Sequence, residues 1–120
     1  MGSGAIGVEF AYFYNAMGTE VTLIEYQPRI VPVEDEEISK QMERSFKKSG
    51  IKVMTSAEVT SVDTSGKGVK ATVKTKKGEE VVEADVVLSA VGIKSNIANI
   101  SLDRVGIATD RDKILVNDLI

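Results

Sequence analysis

The chain has 120 residues, 42% hydrophobic and 28% charged, with 15 Lys and Arg against 18 Asp and Glu for a net charge of -3. That length supports one core and one domain, and mild acidity with few aromatics argues against nucleic acid as the main partner. With no Cys and no His, the chain offers no disulfide, no thiolate or imidazole metal ligand and no histidine base, so it is expected to hold a cofactor rather than run acid-base or redox steps itself.

No apolar run has the length of a membrane span. The start lacks the basic n-region of a secretory signal, and a cytoplasmic location is expected. Ala5 to Met17 suits a helix, with Ile6, Phe10, Phe13 and Met17 spaced to lie on one face. Gly18 stands where a helix-ending glycine belongs. Val21 to Ile24 is a short β-branched run ending at Glu25, which reads as a buried parallel strand. Pro28 and Pro32 mark the loop after it. A second helix is expected from about Asp35 to Ser49, with Ile38, Met42 and Phe46 facing inward and Gly50 stopping it. Its acidic first turn and basic last turn suit the helix dipole.

Ile51 to Met54 reads as the next strand. Glu58 to Thr64, Val69 to Thr75 and Glu79 to Glu83 then alternate apolar and polar residues between glycine-containing turns. This is the pattern of a three-stranded antiparallel meander with one wet face. Val86 to Val91 is a continuous apolar run, expected as a buried parallel strand that Gly92 ends. The rest reads as loop, with a short strand over Ile114 to Val116.

The start "GSGAIG" is a G-x-G-x-x-G fingerprint. Its first glycine allows a tight turn, its second lets backbone approach a pyrophosphate, and its third lets the helix pack closely. A helix beginning near Ala5 would aim free amides and positive dipole at phosphates. Glu25 follows Gly7 by 18 residues, at the strand end where an acid binds the adenosine ribose hydroxyls. A carboxylate there repels a 2′-phosphate, which favours NAD over NADP, and the next residue, Tyr26, is neutral. The competing reading of the glycines is a helix start with no ligand; helix, strand and acid at these distances favour the nucleotide. On helix physics alone Glu9 is a carboxylate near a positive helix end. Glu34 to Glu37 read as a solvated first turn, and Lys74, Lys76 and Lys77 as solubilising charges.

"GSGAIGVEFA", "GTEVTLIE", "EISKQMERSFKKSGIKV" and "ADVVLSAVG" together resemble the NAD-binding domain of the flavoprotein disulfide reductases. Within that family the chain is most similar to the dihydrolipoamide dehydrogenases. The resemblance runs over nearly the whole chain, in order, meander included. It implies an α/β, Rossmann-like, three-layer domain over residues 1–120, with a parallel sheet lacking its first strand and a three-stranded antiparallel insertion.

It also implies that Gly2, Gly4 and Gly7 bind pyrophosphate, with Ile6 at the nicotinamide end. Glu9 matches the glutamate that reaches the nicotinamide ribose or carboxamide. Glu25 matches the ribose-binding acid, with Tyr26 beside it, and Val59 the adenine pocket. Gly92 matches the glycine at the sheet end. Ala5 stands where glutathione reductases often carry a tyrosine over the flavin; a small residue there, with Glu25, points away from that NADP-dependent branch. Gly92-Ile93-Lys94 departs from the Arg and Pro frequent after that glycine.

The parent activity implied is oxidation of protein-bound dihydrolipoamide, with a redox disulfide, FAD and NAD in series. FAD segments, the cysteine pair and the His-Glu pair lie on other domains in the family. The chain is therefore expected to be one domain of a larger homodimeric enzyme and inactive alone. Its partner in the parent is a dihydrolipoyl carrier domain of a 2-oxo acid dehydrogenase complex. The strand before Gly2 is expected upstream, and its empty slot should favour a swapped or edge-paired oligomer. Rival readings are an NADH oxidase, coenzyme A-disulfide reductase or mercuric reductase, or a stand-alone nucleotide-binding module. A methyltransferase-like domain fits the meander and helix poorly.

Overall fold

In the computed structural model, which describes residues 1–117, the glycine loop runs into α1 (Ala5–Ala16). Then follow β1 (Thr22–Ile24), α2 (Glu36–Lys48) and β2 (Lys52–Met54). β1 and β2 pair in parallel, Leu23 opposite Val53. The pairing continues one step further, where the Glu25 amide donates to the Met54 carbonyl at 2.8 Å.

Successive residues of a strand point to opposite faces, and β1 uses both. On one face Leu23 packs with Val8 and Ala11 of α1, Phe46 of α2, and Ile30, Val31 and Ile51. On the other, Ile24 meets Ala57, Ala71 and Val73. The second cluster belongs to the meander of β3 (Glu58–Asp63), β4 (Val69–Thr75) and β5 (Gly78–Ala84), antiparallel in the order β3-β4-β5. Helices, parallel sheet and meander are thus three layers. Burying a side chain such as Phe46 contributes about 2 kcal/mol.

Asp35 caps α2, accepting from the Glu37 amide at 2.8 Å and the Ile38 amide at 3.4 Å. Gly50, at φ 94, turns the chain out of that helix. Among the described residues no helix is long and apolar enough to cross a membrane.

Several expectations need correction. The Ile6, Phe10, Phe13 and Met17 stripe of α1 faces outward, with Phe13 53% and Met17 72% exposed; Gly7, Val8 and Ala11 are the buried side. Small residues bring the helix close to the sheet, which the bulky stripe would not allow. In α2, Ile38 is exposed and Ser39 buried, because the Ser39 hydroxyl donates to the Val31 carbonyl at 3.3 Å. Met42 and Phe46 do face the core.

Val86 to Val91 is not a ladder strand and is not buried, with Val86 78% exposed. Its backbone bonds run to Met1: the Met1 amine donates to the Leu88 carbonyl at 2.7 Å and the Ala90 amide to the Met1 carbonyl at 2.9 Å. The Gly2 amide in turn donates to the Ile24 carbonyl at 2.9 Å. Met1 and Gly2 together therefore bridge the run and β1, through too few bonds to form a ladder. Further on, β6 (Thr109–Asp110) and β7 (Lys113–Ile114) form a small ribbon, so the strand expected over Ile114 to Val116 shrinks to its first residue plus Lys113.

Candidate functional site

The glycine loop, the end of β1 and the start of β3 meet in one cleft of about 440 Å³, which Ala90, Val91 and Gly92 also line. Gly2 and Gly4, Glu25 and Tyr26, Val59 and Gly92 all line it. Six of the ten candidate site residues are thus gathered at one place. Ala5, Ile6, Gly7 and Glu9 sit on the first turns of α1, outside the cleft lining.

The glycines have different structural roles. Gly2 has φ 86, and a Cβ there would lie 2.6 Å from the Ala90 carbonyl oxygen. A Cβ on Gly7 would lie 2.0 Å from the Gly2 carbonyl oxygen, so Gly7 is what lets α1 start against the loop. A Cβ on Gly4 would meet nothing within 4 Å; the space over Gly4 is open cleft.

Gly4 is also the N-cap of α1, and no side chain caps that helix, nor is there an acid in its first turn. Its leading amides are free of side-chain acceptors, which with the helix dipole makes an anion-binding end. The loop and cap fit a pyrophosphate on these grounds, and Glu25, whose carboxylate lies against the loop at Ser3, fits a ribose.

Glu25 is 7% exposed, a buried carboxylate that needs partners. Its Oε2 accepts from the Ser3 amide at 2.7 Å and from the Ser3 hydroxyl at 2.7 Å, and its Oε1 accepts from the Gln27 amide at 2.7 Å. Its backbone is clamped as well, since the Ala57 amide donates to the Glu25 carbonyl at 2.9 Å. At the loop's other side the Val31 amide donates to the Ser3 carbonyl at 2.8 Å, with Val31 at φ 41. That conformation is unfavourable for a β-branched residue and costs on the order of 1–3 kcal/mol. Burial lowers the pKa of the Met1 ammonium at the cleft's edge, partly opposed by the negative charge of Glu25.

β3 carries a register shift between Val59 and Ser61, a bulge of the kind that re-aims side chains beside sites. Sequence reasoning missed Ser3 and Val31. Ser3 had a signal, a small polar residue between two loop glycines. Val31 had none, because its role comes from a backbone conformation that valine disfavours.

Compared with known proteins, residues 1–120 match the pyridine nucleotide-disulphide oxidoreductase family. A dihydrolipoyl dehydrogenase of Rhizobium etli is 44% identical over 118 residues, 98% of this chain and 24% of that protein. The chain thus spans about a quarter of the length of the curated relatives it matches. The crystal structure of LpdA from Mycobacterium tuberculosis superposes with a TM-score of 0.77 at 33% identity, covering 92% of this chain and 24% of that one. The water-forming NADH oxidase of Lactobacillus brevis, bound to NADH, gives a TM-score of 0.72 at 26% identity, covering 92% of this chain and 23% of that one.

Proposed function

The chain belongs to the pyridine nucleotide-disulphide oxidoreductase family, and from that premise we propose that it is the NAD(H)-binding domain of a dihydrolipoyl dehydrogenase. The observation that carries this reading is the cleft, where an uncapped helix start, an open glycine and a buried carboxylate face one space. The glycine loop takes the pyrophosphate through backbone amides. Glu25 takes the adenosine ribose, and Val59 borders the adenine. Glu9, Ala5 and Ile6, on the outward turns of α1, are left to meet the nicotinamide end. Bound NAD supplies the hydride acceptor; this chain's residues bind and orient it, which is positioning rather than bond chemistry.

The whole enzyme, on this reading, oxidises protein-bound dihydrolipoamide through a redox disulfide and FAD held by other domains. It works as a homodimer and takes a dihydrolipoyl carrier domain as partner. The likeness to the NADH oxidase supports a second reading, an oxidase of the same family, with the same NAD(H) cleft.

Fluorescence titration of the chain with NADH, with NADPH in parallel and folding followed by circular dichroism, tests the reading. NADH is expected to bind and NADPH to bind at least about tenfold more weakly, the scale of placing a phosphate against a fixed carboxylate. A folded protein that binds neither, or prefers NADPH, overturns it.

A further inference from the structure

We infer that Ser3 is a positioning residue for Glu25 and that it leaves only one oxygen of that carboxylate open to ligand. The inference rests on the NAD(H) reading of the cleft for its ligand and on the loop geometry for everything else. An ionised carboxylate has about four acceptor sites, two on each oxygen. Oε2 of Glu25 takes both the amide and the hydroxyl of Ser3, at 2.7 Å each, and is filled. Oε1 takes the Gln27 amide at 2.7 Å and has one site left. Ser3 is fully buried and Glu25 nearly so, so water does not compete for these bonds.

Two donors from one residue fix the plane of the carboxylate as well as its place. The Val31 amide holds Ser3 from the opposite side through its carbonyl, so the donor pair cannot follow a moving carboxylate. A ribose diol entering the cleft therefore meets one acceptor, Oε1, and Glu25 binds one hydroxyl rather than chelating two. The rigid carboxylate also cannot swing aside for a 2′-phosphate. Selectivity between the two dinucleotides thus depends on the serine hydroxyl, which is donated to Glu25.

Ser3→Ala removes the hydroxyl and keeps the amide. NADH affinity should fall about tenfold, the scale of one hydrogen bond to a charged group, while NADPH affinity holds or rises, so that their ratio narrows. Without ligand, hydrogen exchange of the Gln27 amide should quicken several-fold more than that of the core amides of β1 and β2, whose change reports the overall loss of stability, because its acceptor is no longer held. Dinucleotide analogues complete the test: of the 2′-deoxy and 3′-deoxy adenosine forms of NADH, only one should lose affinity.

Equal loss for NADH and NADPH, or equal loss for both deoxy analogues together with an unchanged Gln27 exchange rate, overturns the inference. Should the wild-type chain bind no dinucleotide, the NAD(H) reading fails and the Gln27 exchange rate alone decides the role of Ser3. Should Ser3→Ala not fold, Ser3→Cys, with a weak donor in the same place, gives the same comparison.

Discussion

Three glycines of one fingerprint answer to three different physical demands, and Gly7 and Gly4 make separable predictions. Gly7→Ala puts a methyl group 2.0 Å from the Gly2 carbonyl oxygen. The neighbour is backbone and cannot rotate away, so stability should fall by roughly 2–3 kcal/mol, in the range of overpacking. Gly4→Ala is the opposite case. Its φ of -64 suits any residue, and its Cβ would meet open space. Urea denaturation should find Gly4→Ala within about 0.5 kcal/mol of wild type, while NADH titration finds binding weakened at least tenfold by the methyl group in the phosphate path. Equal stability losses for both variants would mean that Gly4, like Gly7, is there for packing. The fingerprint already assigns the two glycines different roles, approach to a phosphate and close helix packing, but not how sharply they differ in stability. That needs the distances to the Gly2 carbonyl and to the empty cleft.

At the scale of elements, α2 is tied to its place by its first turn. Asp35 satisfies two of its leading amides, and Glu36–Lys40 and Glu43–Lys47 pairs run along its outer side. Exposed pairs of this kind contribute only a few tenths of a kcal/mol each, whereas losing an N-cap acid costs about 1 kcal/mol. Asp35→Ala is therefore expected to lower the unfolding free energy by about 1 kcal/mol and Lys40→Ala by far less, both measured by urea denaturation. A larger loss for Lys40→Ala would reverse the ranking.

The helices, the first two strands and the meander were legible from period, caps and turns. Their chemistry is local, and each is decided within its own few residues. Which face of α1 turns inward was not legible. Its two stripes are both apolar, and periodicity gives no means of choosing between Val8 with Ala11 and Phe10 with Phe13. The choice is made by closeness of approach, set by Gly7. Val86 to Val91 misled for a related reason. Its composition reports a strand's preference for burial, but a ladder needs a neighbour over its whole length, and the run is bonded only at Leu88 and Ala90, to Met1, among the described residues. In the site, the meeting of Gly2, Gly4 and Glu25 was legible because glycine and acid spacing is itself geometry, whereas Val59 and Gly92 came only from the family resemblance. The Ser3–Glu25 bonding was not, since it depends on two side chains meeting across 22 residues.

For the whole molecule, the radius of gyration is 18.0 Å, against about 14 Å for a compact chain of this length. The excess has an apolar surface to go with it. One patch is the outer side of α1, where Phe10 stacks on Tyr14 at 6.1 Å between centroids and Phe13 meets Tyr14 edge-on at 5.3 Å. The other is the run from Val86 to Val91, largely exposed and with its backbone bonded only at Leu88 and Ala90, to Met1, among the described residues. Unpaired strand edges recruit further strands, and exposed aromatic patches recruit apolar partners. The chain in isolation should therefore associate, with the edge as the main site because it offers directional hydrogen bonds as well as apolar area. Sedimentation velocity across a range of concentrations should show the weight-average mass rising above 12.9 kDa. A charge on the edge is the device that blocks such pairing. Val86→Lys should raise the dissociation constant about tenfold, or about 1.4 kcal/mol. Phe13→Lys, on the aromatic patch, should change it less. A folded monomer at every concentration would show that neither surface is sticky in water. A stronger effect of Phe13→Lys would place the contact on α1, and the open edge would then be held apart by its twist rather than filled.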